Sequence, residues 1–558
     1  MEKNWWHGKI AYQIYPKSFK DSNNDGIGDL RGIINKLDYL SNLGIDIIWL
    51  SPIYQSPFVD NGYDISDYRN IASVFGTMED FKELLEKAKT QNISIILDLV
   101  VNHCSSEHPL FQKALKNPFS EEGSYFYFEK GRDGHAPDNL RSYFGGSVWE
   151  KVPGQDNLYY LHYFAKGQPD LNWTNPKLRE KIYDMVNFWL KMGVAGFRID
   201  AIMNIVKDTK FPGLPADDSD NLCACNKMTN ALVDKTVPLL NELKAHTFDK
   251  FNALTVAEAF GVNDKLLPKL YGDEGCFSTL FDFAARQPYE LLPGYYAFFK
   301  SNINNYRDAN FATQKKVLDS GFICPILENH DEPRSLSFYF EKEEQTPKTA
   351  KALATVFMFL RGLPFIYQGQ ELGMTNTCFE SLDEFNDLLA YDEYKKCINH
   401  GLSEKQALAV LNEQSRDHGR TPMLWDDSLH AGFSEHTPWL KIHQDYKKLN
   451  VKTQNADDNS VLNTYRKLIA LRKDARFVEI FTYGTFEALL ENEDRIVAYL
   501  RSLNGSTLAI FANFKTEEYQ IYHQGLKEIV FSTDPHNKLK DENLTLAPYS
   551  ACVSLIKP

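Results

Sequence analysis

Short, almost wholly apolar runs alternate with amphipathic stretches along most of the chain. The runs 11–16, 45–52, 93–101, 196–201, 253–259, 277–283, 322–331 and 364–371 fit strands. Near-continuous hydrophobicity within each is the pattern of a strand buried on both faces of a parallel sheet. Between them, 30–43, 78–91 and 178–192 carry apolar residues at helical spacing. Eight such units predict an α/β chain closing as a (β/α)8 TIM barrel. The gap at 104–172 is too long for a loop and lacks long helical periodicity, so it predicts a subdomain inserted after strand three. A second insertion at 375–417 is charged and helix-like. Beyond about 475, alternating runs at 496–500 and 507–512 predict a C-terminal antiparallel β-sandwich over 476–558. The barrel then takes 1–103 and 173–475.

Polar residues close four of the strands: Asn102-His103, Arg198 and Asp200, Glu258, and Glu328 to Asp331. A charge ending a buried strand is costly unless it faces the catalytic end of the barrel. Asp200, Glu258 and Asp331 should therefore converge there. Two carboxyls flanking an acetal are the machinery of glycoside hydrolysis, and clustering pushes their pKa values apart. Arg198, two residues from Asp200, shares its strand face and would hold it ionised. His103 and His330 can donate to sugar hydroxyls.

Composition narrows the partners. Of 558 residues, 61 are Lys or Arg and 75 Asp or Glu, a net charge of −14, so a nucleic-acid surface is excluded as the expectation. Aromatics reach 13%, enough for a stacking surface on a ring-shaped ligand. The first residues hold no apolar run of signal-peptide length, and 352–360 is too short to span a bilayer. Eight scattered cysteines show no disulfide framework, and Cys223-x-Cys225 lacks the second pair a metal site needs. The expectation is a cytoplasmic protein with reduced thiols, acting on a small saccharide without a membrane.

The order AYQIYP, DLVVNH, GFRIDA, AEA, ENHDEPR resembles the α-amylase superfamily, glycoside hydrolase family 13. QPDLNW at 168–173, DNGYD at 60–64 and SRDHGRTP at 415–422 are similar to its oligo-1,6-glucosidase and α-glucosidase subgroup. The resemblance implies a retaining mechanism with Asp200 as nucleophile, Glu258 as general acid/base and Asp331 as stabiliser of the transition state. It implies that Arg198, His103, His330, Asp60 and Tyr63 grip the terminal glucose. Arg420 is expected to pair with Asp60 and close the pocket, with Arg416 as the alternative, and Phe144 and Phe164 as apolar walls. Such a pocket admits only a chain end, so short saccharides should be cut in exo fashion.

Asp21, Asn23, Asp25 and Asp29 alternate around Gly26, and Ile27 can add a backbone carbonyl. Hard cations such as Ca2+ take that donor set, although Gly32 stands where an EF-hand has glutamate. Enzymes similar to this chain carry a metal at this loop, which implies a structural Ca2+. Linkage is expected to turn on the residue after the nucleophile: α-1,6 enzymes of the subgroup usually have Val there, and this chain has Ala201. Ala257-Glu258-Ala259-Phe260 also departs from their Gly-Glu-Met. Both departures favour α-1,4 bonds, with α-1,6 and sucrose also possible substrates. Trehalose-6-phosphate hydrolysis, strict α-1,6 cleavage and sucrose isomerisation are the enzymatic alternatives. A non-catalytic transporter-associated relative would lack the full carboxylate set and carry an anchor.

Overall fold

The computed structural model describes all residues except 1–2, 219, 260–264, 287, 289–291, 319–320 and 558. Seven parallel strands form one curled sheet: Ala11–Ile14, Ile47–Leu50, Ser94–Val100, Gly196–Asp200, Leu254–Ala257, Thr279–Leu280 and Phe365–Tyr367. The first pairs with the last, Ala11 opposite Phe365. The expected seventh strand closes the remaining gap through single parallel bridges, Phe281 to Cys324 and Ile326 to Phe365. Its ladder stays that short because Pro325, between the bridging residues, has no N–H to donate.

Alternation along each strand sorts the side chains into two cores. Ala11, Ile47, Trp49, Ile96, Leu254, Val256, Phe281, Cys324 and Phe365 fill the barrel interior. Their neighbours Tyr12, Ile14, Ile48, Leu50, Leu97, Phe197 and Ile199 face the surrounding helices. Arg198 lies in register with Asp98, both pointing inward. Above the apolar filling, the barrel thus carries a layer of charge.

The helices Met78–Thr90 and Pro176–Met192 occupy their expected positions. The stretch 30–43 is instead two helices, Leu30–Ile34 and Leu37–Leu43. The first is capped by Asp29, whose side chain accepts from Gly32 N, and ends after one turn at Asn35-Lys36. The segment after strand three holds an antiparallel sheet of Phe128–Lys130, Leu158–Leu161 and Trp149–Lys151. Two helices, Leu388–Asn399 and Glu404–Gln414, occupy the second insertion. C-terminal to the barrel, a five-stranded antiparallel sheet runs from Thr485–Leu489 to Ser550–Ile556, beside a three-stranded one.

Two buried arginines sit where this last unit meets the barrel, and Arg501 joins the two. Arg501 donates to the carbonyls of Phe359, Ile480, Phe481, Gly484 and Thr485 at 2.8–3.2 Å. Arg472 donates to those of Met358, Leu360 and Gly362. Both cap helices whose last carbonyls have no intrahelical donor.

Candidate active site

A cavity of about 540 Å³ opens at the carboxyl ends of the strands, lined by Asp60, Tyr63, His103, Phe144, Phe164, Asp200, Ala201, Glu258, Asp331 and Arg416. Arg198 organises its floor from behind, only 1% exposed. Its Nη1 lies 2.8 Å from Asp98 Oδ1 and 2.5 Å from Asp200 Oδ1, and its Nη2 lies 2.7 Å from Glu258 Oε1. Glu258 Oε2 also accepts the N–H of Ala201 at 2.9 Å. One guanidinium therefore bridges three carboxylates. Ala201 itself sits at φ +44°, a left-handed turn that lifts the chain off the strand directly after Asp200.

Burial of Asp200 works against its ionised form, and Arg198 favours it. Burial raises both carboxyls to about 7, with Arg198 opposing; the charges of Asp98 and Asp331 add to the rise in Asp200, and those of Asp200 and Asp331 to the rise in Glu258. A single positive charge divided three ways does not offset the loss of water. With both near 7, the two carboxyls together hold about one proton at neutrality. Asp331 behaves oppositely: burial alone would raise it, but His330, Arg416, Arg420 and Arg198 together hold it well below the usual carboxylate range.

His330 is fully buried and lies behind the wall, not in it. Burial lowers it to about 3, so its ring is neutral. Gln13 Nε2 lies 2.8 Å from its Nδ1, while Nε2 reaches Tyr63 Oη at 2.5 Å and Asp331 at 3.1 Å. Tyr63 in turn donates to Asp98 at 3.0 Å, which the Nε2–H tautomer satisfies throughout. His330 and Arg198 are not among the residues that line the cavity; each holds groups that are. His103 does line it, beside Phe164, ring centroids 4.9 Å apart.

The arginine assignment is corrected. Arg416 lies in the wall, its Nη2 3.9 Å from Asp60, and is fixed by Asp387 at 2.5 and 2.8 Å and by Asp331 at 3.0 Å. Arg420, one helical turn on, faces the barrel and binds Asp331 at 2.9 Å and the His330 carbonyl at 2.8 Å. Asp60 pairs with Arg416, not Arg420. Asp60 also accepts from Gln168 Nε2 at 3.0 Å, and its burial raises it to about 6. Asp170, next in that motif, is locked to Asn102 at 3.1 Å and Lys207 at 2.9 Å with no exposure.

At 21–29 the acids bind their own loop. Asp21 accepts from the N–H groups of Asn23, Asn24 and Gly26, Asp25 from that of Ile27, and Asp29 from Ser22 and Gly32. Among the described residues no cluster of three His, Cys, Asp or Glu able to hold a metal forms, at this loop or at Cys223 and Cys225. The cysteines are all unbridged, seven of them buried. No described helix is long and apolar enough to cross a membrane.

Residues 13–484 match the α-amylase catalytic domain. The chain belongs to the α-amylase family. Residues 496–553 match the C-terminal domain of the α-amylase SusG. Over the whole of both chains it is 40% identical to a probable oligo-1,6-glucosidase 3 of Bacillus subtilis and 39% identical to a glucan 1,6-alpha-glucosidase of Streptococcus pneumoniae. Among solved structures it is similar to trehalose-6-phosphate hydrolase of Bacillus licheniformis (TM-score 0.91, 34% identity) and to an isomaltulose synthase of Protaminobacter rubrum (TM-score 0.93, 35% identity), all of each chain being covered. With relatives of this kind, this α-amylase family member is a glycoside hydrolase with α-glucosidase activity. Sequence reasoning overlooked Asp98, although a lone carboxylate inside Ile95-Ile96-Leu97-Asp98-Leu99-Val100 is the same kind of signal that exposed Asp200. Lys207 and Asp387 carry no such signal, since each lies on a loop where a charge is unremarked. Phe260 lies outside the described residues.

Proposed function

We propose a retaining, exo-acting α-glucosidase that releases glucose from short α-glucosides. The observation that carries it is the bridging of Asp200 and Glu258 by one guanidinium. Two carboxyls on adjacent nitrogens of Arg198 fit the ~5–5.5 Å separation of retaining enzymes better than the wider gap an inverting enzyme leaves for water. Asp200 attacks the anomeric carbon while Glu258 protonates the departing oxygen. Glu258 then takes a proton from the water that releases the glycosyl-enzyme. Asp331, held ionised, stabilises positive charge on the flattening ring. Asp60, with Arg416 beside it, and His103 bind hydroxyls of the terminal glucose, and Phe144 and Phe164 supply its apolar wall.

Ala201 leaves room at the scissile bond for an α-1,4-linked second sugar. A second reading, α-1,6 preference, is favoured by the names of the relatives. A phosphorylated disaccharide is disfavoured by charge: each cation in the wall already serves carboxylates. Arg141 is held by Asp217 and Asp218, Arg286 by Glu332, Lys396 by Asp392 and Glu393, and Arg416 by Asp387. Rates on maltose, isomaltose, sucrose and trehalose-6-phosphate separate these readings. NMR of early product should show α-glucose; β-glucose rules out retention. We also propose that Asp21, Asn23, Asp25, Asp29 and the Ile27 carbonyl hold a Ca2+, all five being hard oxygen donors. Far from the carboxylates in sequence and strand, that ion would brace the loop after strand one.

A further inference from the structure

Beyond the first sugar, the same cavity has a wall that no catalytic role accounts for. Arg141, Asn204, Asn226, Thr229 and Asn230 line it together. Asn226 and Asn230 stand four residues apart on the helix Asn226–Leu232, hence on one face, and both reach the cavity. Thr229 is the buried member of this wall, its hydroxyl donating to Asn204 Oδ1 at 2.8 Å, and Tyr143 Oη lies 3.1 Å from the same oxygen. That inner contact fixes the helix against the turn that follows Asp200.

Arg141 is fixed from the other side. Its Nη1 lies 2.7 Å from Asp217 Oδ1 and also contacts Asp218, while Asp217 takes a second cation, Lys227, at 2.9 Å. The backbone ties the same parts: Leu140–Arg141 pairs in parallel with Cys223–Ala224. The guanidinium is therefore held still, its charge balanced by these carboxylates, and the residue lines the cavity. Fixed N–H donors without net charge, next to two primary amides, match a neutral polyol. A phosphate or carboxylate would meet Asp217 and Asp218 directly behind the arginine.

We propose that Arg141, Asn226 and Asn230 form a hydroxyl-reading ledge that binds the leaving-group sugar, selecting saccharide over non-saccharide aglycones. The inference rests on the α-glucosidase reading and adds the residues that read the far side of the bond. An aryl glucoside has no hydroxyls there to bind, so it reports the reaction centre alone. The test compares kcat/KM on maltose, isomaltose and 4-nitrophenyl α-glucoside for wild type, Asn230→Ala, Asn226→Ala/Asn230→Ala and Arg141→Met. The double variant should lower the ratio of the better disaccharide to the aryl glucoside by about tenfold, the scale of lost hydrogen bonds to a substrate hydroxyl, mainly through KM. Asn230 is solvent-exposed, so its variant keeps the test independent of any folding defect in Arg141→Met. Ratios unchanged in the double variant and in Arg141→Met overturn the ledge. A wild type inactive on all three substrates overturns the α-glucosidase reading instead, which is a separate outcome.

Discussion

Two sets of buried arginines serve opposite purposes in this molecule. Arg198 is surrounded by carboxylates, Arg501 and Arg472 by backbone carbonyls alone. Around Arg198 the partners can gain or lose protons, and burial brings two of them to about 7. Around Arg501 every acceptor is a backbone carbonyl, which has no proton to gain or lose near neutrality. The catalytic end spends stability to hold groups poised; the joint is built only to hold.

The sharpest way to break that contrast is Asp200→Asn. We expect kcat to fall by roughly 10³-fold or more, as for loss of a nucleophile. Stability should move the other way. A carboxyl whose folded pKa is raised from 3.8 to about 7 contributes stability below pH ~4 that is lost as pH rises through 7. Removing it should leave Tm little changed at pH 5 and raise it at pH 8. Near-normal turnover, or a Tm that falls at pH 8, contradicts the assignment. The wild-type rate should peak near pH 7, where the pair holds one proton.

Arg501→Met tests the other set. Carbonyls at two helix ends lose their donor, at ~1–3 kcal/mol for each buried group left unpaired. Thermal unfolding should shift down by several degrees (about 2–4 °C per kcal/mol in domains of 150–250 residues), with kcat/KM on any accepted substrate within about twofold, far below the scale of a lost catalytic group. A large loss of kcat without a Tm shift would join the two sets into one.

Ala201→Val has a smaller effect and sharpens the picture at the scissile bond. Its two added methyl groups crowd an α-1,4-linked second sugar more than an α-1,6-linked one, by ~1–3 kcal/mol or at least about tenfold in kcat/KM. The left-handed backbone at this position adds a cost the sequence did not disclose, because β-branched residues rarely adopt it. Maltose should therefore lose more than isomaltose, together with a lower Tm. Equal losses on both would mean that the strain has displaced Asp200.

Chelation should act least. If the loop at 21–29 holds Ca2+, EDTA lowers Tm by mass action and leaves KM alone. An unchanged Tm in both EDTA and added Ca2+ rejects the ion, and the Asx-type hydrogen bonds of Asp21 and Asp25 then suffice to hold the turn.

What was legible in the chain was whatever periodicity or cost writes into it. The strands showed because burial on both faces leaves continuous apolar runs, and Asp200, Glu258 and Asp331 because charge there is expensive. Arg416 and Arg420 are a different case. Both are arginines on one motif, and which of them meets Asp60 depends on how a four-residue helix is rotated, which no residue spacing records. The joint at Arg501 and the helix cap at Arg472 were invisible for a similar reason, since backbone carbonyls have no letter in the sequence.

Strand order carries a consequence for synthesis. Ala11 pairs with Ile47 on one side, but on the other it meets only Phe365, so the first barrel strand emerges from the ribosome about 350 residues ahead of its second neighbour. At ~5–20 residues per second that is some twenty to seventy seconds. Throughout that interval the nascent sheet is open, with one row of unpaired N–H and C=O groups on Ala11–Ile14 available to any other strand. Only when Phe365–Tyr367 joins does the ring close and that edge disappear.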